Sequence, residues 1–237
     1  DGTSVRTRRP DFRPTDDLVV DVDQAPWDSN ARLYVAQKEG DEDASTVLVR
    51  ADLPDVGPEV GATLALVVDT SGSAEPAELD VSKAFVRAVL DALGDRDRVV
   101  VLSADQNVRP VGPAAVGPLD AARKAAILEA LGKLAPGGAT DLGRALEAGA
   151  DALPADAPAG VVVYVGDGWA TLGDPDVKSI EARLARRAGG KPRVGAVAVG
   201  AMAHVRALRA LTQGSGPLLF VSDSSDATAA ATELVAD

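Results

Sequence analysis

Cysteine is absent from this sequence, and histidine occurs once. The first absence excludes disulfides, zinc–thiolate centres and thiol nucleophiles, and leaves the compartment open. The lone histidine, His204, falls in a stretch read as helix. No matching base or nucleophile lies near it in sequence, so it is read as structural or solvent-facing. Aromatic residues are only 3% of the chain against an apolar fraction of 46%, so valine, leucine and alanine must build the core. No apolar run approaches the ~20 residues that span a bilayer as a helix. Positive charge is also short: 24 Lys and Arg against 36 Asp and Glu leave a net charge of −12. That balance argues against nucleic acid, which requires a basic footprint, and suits a surface that meets cations or basic partners. Residues 1–14 are polar and carry no apolar signal-peptide core. The chain is expected to start inside a longer protein, with any export signal upstream.

What is present centres on Val67-Val68-Asp69-Thr70-Ser71-Gly72-Ser73. The valine-rich run before Asp69 reads as a strand buried on both faces. Its polar end therefore lies where open parallel sheets bind ligands, in the crevice beyond the strands' carboxyl ends.

Residues 18–22, 32–36 and 46–50 read as short strands, the last two forming a hairpin with a long acidic tip. Glu39, Asp41, Glu42 and Asp43 in that tip lack the spacing of a calcium-binding loop and are read as a solvated turn. Three strands bury too little to stand alone. Residues 1–60 are thus expected to be a β segment that packs on the main domain or completes a sheet begun upstream, ending in a linker at Pro54, Gly57, Pro58 and Gly61.

From 61 to 237 the pattern alternates. Strands are predicted at 64–69, 98–103, 107–111, 160–165, 194–199 and 217–222, with helices at 77–93, 118–134, from Thr140-Asp141 to about Leu153, and at 176–188, 202–212 and 225–235. Such alternation argues for an α/β, doubly wound, mostly parallel sheet. The short link 104–106 forces an antiparallel return, and Pro110 confines that strand to an edge.

Three loops at strand ends then carry Asp69, Ser71 and Ser73; Thr140; and Asp167. All are oxygen donors, an inventory that selects Mg²⁺, Mn²⁺ or Ca²⁺ over zinc or copper. In extended chain, positions i, i+2 and i+4 face one way, so Asp69, Ser71 and Ser73 can converge while Gly72 permits the turn. The bland alternative is helix capping, with Thr140 as an N-cap, but capping does not require the loops to converge.

These residues resemble the metal-ion-dependent adhesion site of von Willebrand factor A domains: Asp-x-Ser-x-Ser after the first strand, a Thr in a Gly-Gly-x-Thr-Asp loop, and an Asp-Gly after the fourth strand. Asp69, Ser71, Ser73, Thr140 and Asp167 meet the pattern in order, and the resemblance covers roughly 61–237. It implies a Rossmann-like sheet of order 3-2-1-4-5-6 with strand 3 antiparallel. It implies that Ser71, Ser73 and Thr140 bind Mg²⁺ (or Mn²⁺, with Ca²⁺ also accommodated) directly, while Asp69 and Asp167 act through water or hydrogen bonds and Asp141 stands behind them. It also implies a non-enzymatic interaction domain whose protein partner presents an Asp or Glu to the ion, at the cell surface or secreted, with a cytoplasmic place as the alternative.

Two departures stand out. Gly166 replaces a threonine common beside Asp167, which removes a hydroxyl, and Ala74-Glu75 follow Ser73 where the family often has Met. The strands at 1–60 resemble, more narrowly, the β module preceding the A domain in proteins similar to inter-alpha-trypsin inhibitor heavy chains, and the composition suggests a GC-rich bacterial genome. Trp27 and Trp169 are expected as packing anchors, Trp169 near the rim of the site. Rival functions are a scaffold working with an ATPase and a Mg²⁺-dependent phosphatase-like hydrolase. The second rival lacks its expected acid, since Ser71 stands in that position, and has no lysine in the 136–144 or 166–174 loops.

Overall fold

The computed structural model describes residues 31–37, 45–51, 61–72, 76–155, 160–186 and 192–236. The expected strand at 18–22, the acidic turn at 38–44, the linker at Pro54, Gly57 and Pro58, and Ser73, Ala74 and Glu75 lie outside the described residues. The chain divides into two compact units, Asp1–Glu59 and Val60–Asp237.

In the first unit, β1 (Ala31–Gln37) pairs antiparallel with β2 (Ser45–Ala51), setting Ala31 opposite Ala51 and Gln37 opposite Ser45. This is the hairpin expected from the two apolar stretches and the turn-prone residues between them.

In the second unit, β3 (Thr63–Asp69), β4 (Arg98–Ala104), β5 (Val108–Pro110), β6 (Gly117–Pro118), β7 (Gly160–Gly166), β8 (Arg193–Val199) and β9 (Leu218–Val221) form one sheet. Its order is β5-β4-β3-β7-β8-β9. Counted within the unit and passing over β6, that is the expected 3-2-1-4-5-6. β5 and β6 both run antiparallel to β4; the other pairings are parallel. β6 was not expected. Its second residue, Pro118, was read as the first of a helix, and its pairing with β4 delays α2 (Ala121–Gly132) until Asp120 accepts the Arg123 amide at 2.7 Å.

β3 is buried along its whole length. Period-two alternation deals its side chains to opposite faces. Leu64, Leu66 and Val68 join one core with Phe85, Val86 and Leu90 of α1 (Pro76–Ala92), Ile127 and Leu131 of α2, and Ala227, Ala230 and Ala231 of α6 (Asp226–Ala236). Ala65 and Val67 join a second core with Leu142 and Leu146 of α3 (Leu142–Ala152), Ile180 and Leu184 of α4 (Val177–Ala185), and Leu208 and Leu211 of α5 (Val205–Thr212). Helices on both faces leave the strand ends as the accessible surface of the sheet, and the polar loops gather there.

The opposite end is pinned by Asp97, whose carboxylate accepts the amides of Ala62 and Gly94, each at 2.7 Å. Asp97→Ala strands both donors and is expected to lower stability by about 1–3 kcal/mol. A thermal melt matching wild type would show that solvent replaces the carboxylate at no cost.

Candidate metal centre

The loop after β3, the loop leading into α3 and the loop after β7 are tied by backbone bonds. Gly72 N–H donates to Gly138 O at 2.9 Å and Gly137 N–H to Thr70 O at 2.8 Å. Thr171 and Leu172 amides donate to Thr140 O at 3.1 and 3.0 Å, and Thr140 N–H donates to Thr171 Oγ1 at 2.9 Å. Each loop therefore uses its own polar backbone to fix its neighbour.

Side chains converge inside this frame. The Asp69 carboxylate accepts the Ser71 amide at 2.8 Å and the Thr140 hydroxyl at 3.2–3.3 Å. The alternation read from the sequence is consistent with Ser71 folding back toward Asp69. Asp167 sits on the next strand's loop, its Oδ1 accepting the Trp169 amide at 2.9 Å. Asp69 is 2% exposed, Asp167 6%, and Ser71 and Thr140 are fully enclosed. Burial pushes the Asp69 carboxyl above its usual value; hydrogen bonds from Tyr164 and Ser71 pull it back, and the charge of Asp167 pushes it up again.

Thr140 is not the helix cap of the bland reading. Asp141 caps α3, its carboxylate accepting the Arg144 amide at 3.0 Å, and this leaves the Thr140 hydroxyl to face Asp69. His204 is not helical either. It occupies the N-cap position of α5 without a side-chain cap bond, and its ring stacks on Trp169 with centroids 4.3 Å apart. Trp169 is no core anchor: it is 45% exposed.

Sequence reasoning missed Tyr164. It lies in the apolar run of β7 and was counted as core. Its hydroxyl donates to Asp69 Oδ2 and accepts the Gly168 amide at 3.1 Å. Burial, and then the negative charge of Asp69, raise this phenol well above 10.0, so it stays a donor. The Tyr164 hydroxyl therefore serves Asp69 and the Gly168 amide. A side chain at 166 has no room: its Cβ would collide with Asp69 Cβ and lie 2.8 Å from the Tyr164 hydroxyl. The available signal was a tyrosine in a valine strand with glycine two positions later on the same face.

The donor set fits a hard divalent cation. Two carboxylates are buried near each other, and among the described residues neither is in an ion pair. Buried charge left in that condition is costly, and an ion between the carboxylates relieves it. No group of three or more His, Cys, Asp or Glu gathers among the described residues. Any ion held here must therefore draw on Ser and Thr hydroxyls as well.

Residues 64–169 match the family model described as von Willebrand factor type A domain. No curated protein sequence matches the chain. Among solved structures, a von Willebrand factor type A protein from Catenulispora acidiphila is 20% identical with a TM-score of 0.63, over 81% of this chain and 44% of that one. The chain thus spans less than half of that protein. Proximal thread matrix protein 1 from the mussel byssus, solved with a zinc-occupied MIDAS motif, is 17% identical with a TM-score of 0.56, over 75% of this chain and 48% of that one. The manganese-loaded TRAP protein of Plasmodium vivax is 16% identical with a TM-score of 0.55, over 74% of each chain. At these identities the structural likenesses establish the fold. The sequence likeness to the von Willebrand factor type A family is confined to residues 64–169, less than half of the chain.

Proposed function

We propose that this chain is a metal-dependent protein-interaction module in which Asp69, Ser71, Ser73, Thr140 and Asp167 hold a Mg²⁺ or Mn²⁺ ion and a partner's Asp or Glu completes the site. The observation that carries this reading is the buried pair Asp69 and Asp167, with the enclosed Thr140 hydroxyl on Asp69 and, among the described residues, no ion pair to either carboxylate. A bound divalent ion supplies positive charge and an open coordination position for a carboxylate oxygen. The zinc and manganese named for the two similar proteins above support a divalent ion.

The chain's own groups have distinct tasks. Ser71, Ser73 and Thr140 offer neutral hydroxyls, which leave much of an ion's charge unquenched for the partner. Tyr164 and the Ser71 amide orient Asp69, and the Trp169 amide orients Asp167. Binding is favoured over catalysis because a hydrolase acting through Ser71 needs a base, and the chain's only histidine stacks on Trp169. Among the described residues no helix is long and apolar enough to cross a membrane.

The test is calorimetry with Mn²⁺ on the wild type, Ser71→Ala with Ser73→Ala, and Thr140→Ala. Wild type is expected to take up one ion, and the substituted chains to lose most of that affinity while melting as cooperative folds. Equal Mn²⁺ affinity in all three would remove these residues from the site.

A further inference from the structure

Among the described residues four large apolar side chains are exposed: Trp169 and Leu172 at 45% each, Met202 at 79% and Phe220 at 53%. Phe220 lies on β9. The other three lie on the loops that follow β7 and β8, at the end of the sheet that carries Asp69 and Asp167. Clustered apolar exposure beside polar groups marks an interaction site, and tryptophan is the residue most often found at the energetic centre of one.

This ledge is built from the same backbone as the site. The Trp169 amide donates to Asp167 Oδ1 at 2.9 Å, and its indole N–H donates to Met202 O at 2.8 Å. The Leu172 amide donates to Thr140 O at 3.0 Å, and the His204 amide to Asp167 O at 2.6 Å. The His204 ring lies nearly parallel to the indole, 10° apart. Both loops are therefore held together before any partner arrives, so ordering them costs little on binding.

Charge sets the second condition. Residues 167–176 contain Asp167, Asp174 and Asp176 with no lysine or arginine, and residues 200–204 contain no Asp, Glu, Lys or Arg. Beside the site, Arg109 is paired to Asp105 at 3.0 Å. The crown is acidic on a chain of net charge −12. An all-acidic segment would be repelled everywhere except at the ion. A segment with one carboxylate amid basic residues is favoured by the acidic balance of these loops, with Arg144, Lys178 and Arg206 in the helices that follow as the opposing charges.

We infer that the site takes a protein segment in which one Asp or Glu lies within two residues of a large apolar side chain and is flanked by Lys or Arg, with the apolar side chain seated on the ledge of Trp169, Leu172 and Met202. This inference rests on the metal-dependent reading above and specifies its partner.

The experiment is selection of random peptides displayed on phage against the immobilised full chain in Mn²⁺, with elution by EDTA. Enriched peptides are expected to combine a carboxylate, an apolar neighbour and basic flanks. In one such peptide made synthetically, alanine at the apolar position is expected to weaken binding roughly tenfold or more, as loss of one buried side chain would. Trp169→Ala should weaken the parent peptide similarly and add little to the alanine peptide, because the two changes remove one contact. Phe220→Ser should leave the parent peptide's affinity unchanged. Enriched carboxylates without apolar neighbours, or full additivity of the two alanine changes, would overturn the ledge while leaving the metal site standing. A selection that yields no EDTA-eluted peptides, or only peptides lacking carboxylates, would overturn the metal-dependent reading itself.

Discussion

Chelating the divalent ion is expected to weaken a protein partner's hold on this chain by roughly tenfold to a hundredfold. The magnitude follows from the loss of one contact to a charged group, worth ~1.5–3 kcal/mol, at ~1.4 kcal/mol per factor of ten. Thr140→Ala should reproduce most of this loss without chelator. Its hydroxyl is fully enclosed and reaches both oxygens of Asp69, so removal loosens the carboxylate and also deletes an oxygen proposed to meet the ion. Asp141→Ala is the informative comparison. Its carboxylate caps α3 through the Arg144 amide, so its loss should cost about 1 kcal/mol of stability and weaken the partner less than Thr140→Ala does. Surface plasmon resonance with and without EDTA reads the affinities, and a melt read alongside separates binding from folding. A partner whose affinity ignores both EDTA and Thr140→Ala would show the chain to be a metal-indifferent scaffold.

The second large effect is expected at Gly166. Alanine there places a methyl group against Asp69 Cβ, with the Tyr164 hydroxyl 2.8 Å away and ring carbon Cζ 3.0 Å away. Overpacking of this kind costs about 1–3 kcal/mol. For a unit of this size that lowers the melting temperature by roughly 2–4 °C per kcal/mol. The same displacement moves Asp69, so Mn²⁺ affinity should fall with stability. Tyr164→Phe is expected to act differently. It leaves space intact but strands the Gly168 amide and removes one of the two hydrogen bonds to Asp69 Oδ2, which keeps the 3.2 Å bond from Thr140. Combining the two changes should recover part of the packing loss, because the phenolic oxygen is one of the atoms in the way. Circular dichroism melts with parallel Mn²⁺ calorimetry check this. A Gly166→Ala chain as stable and as metal-avid as wild type would mean the strand ends give way freely.

The architecture was largely legible because the signals that set it are local. The uninterrupted apolar runs of β3, β4 and β7 can only be central strands. The three-residue link before β5 admits only an antiparallel return, and β5 is antiparallel. Asp69, Ser71 and Thr140 come together as their positions at element ends suggested. What escaped the sequence were matters of reach. Tyr164 is inward by pattern, and periodicity does not say whether a buried tyrosine ends in apolar packing or on a carboxylate of the adjacent strand. The late start of α2 has a similar origin: the pairing of Gly117 and Pro118 with β4 holds the chain extended until Asp120 caps the helix. Trp169, expected as a packing anchor near the rim of the site, is bonded to Asp167 through its amide but leaves its side chain half-exposed.

The parallel ladders on both sides of β3 bear on what happens when the molecule is pulled. β3 is matched residue for residue with β4 from Thr63 to Asp69 and with β7 from Thr63 to Val68. A partner holding the neighbouring loops of Thr140 and Asp167, while the preceding chain drags on the Thr63 end, would pull β3 lengthwise against the strands beside it. The tension is shared by both rows of hydrogen bonds in shear, and they must fail together instead of opening one at a time. Forced unfolding is governed by the barrier to that collective rupture.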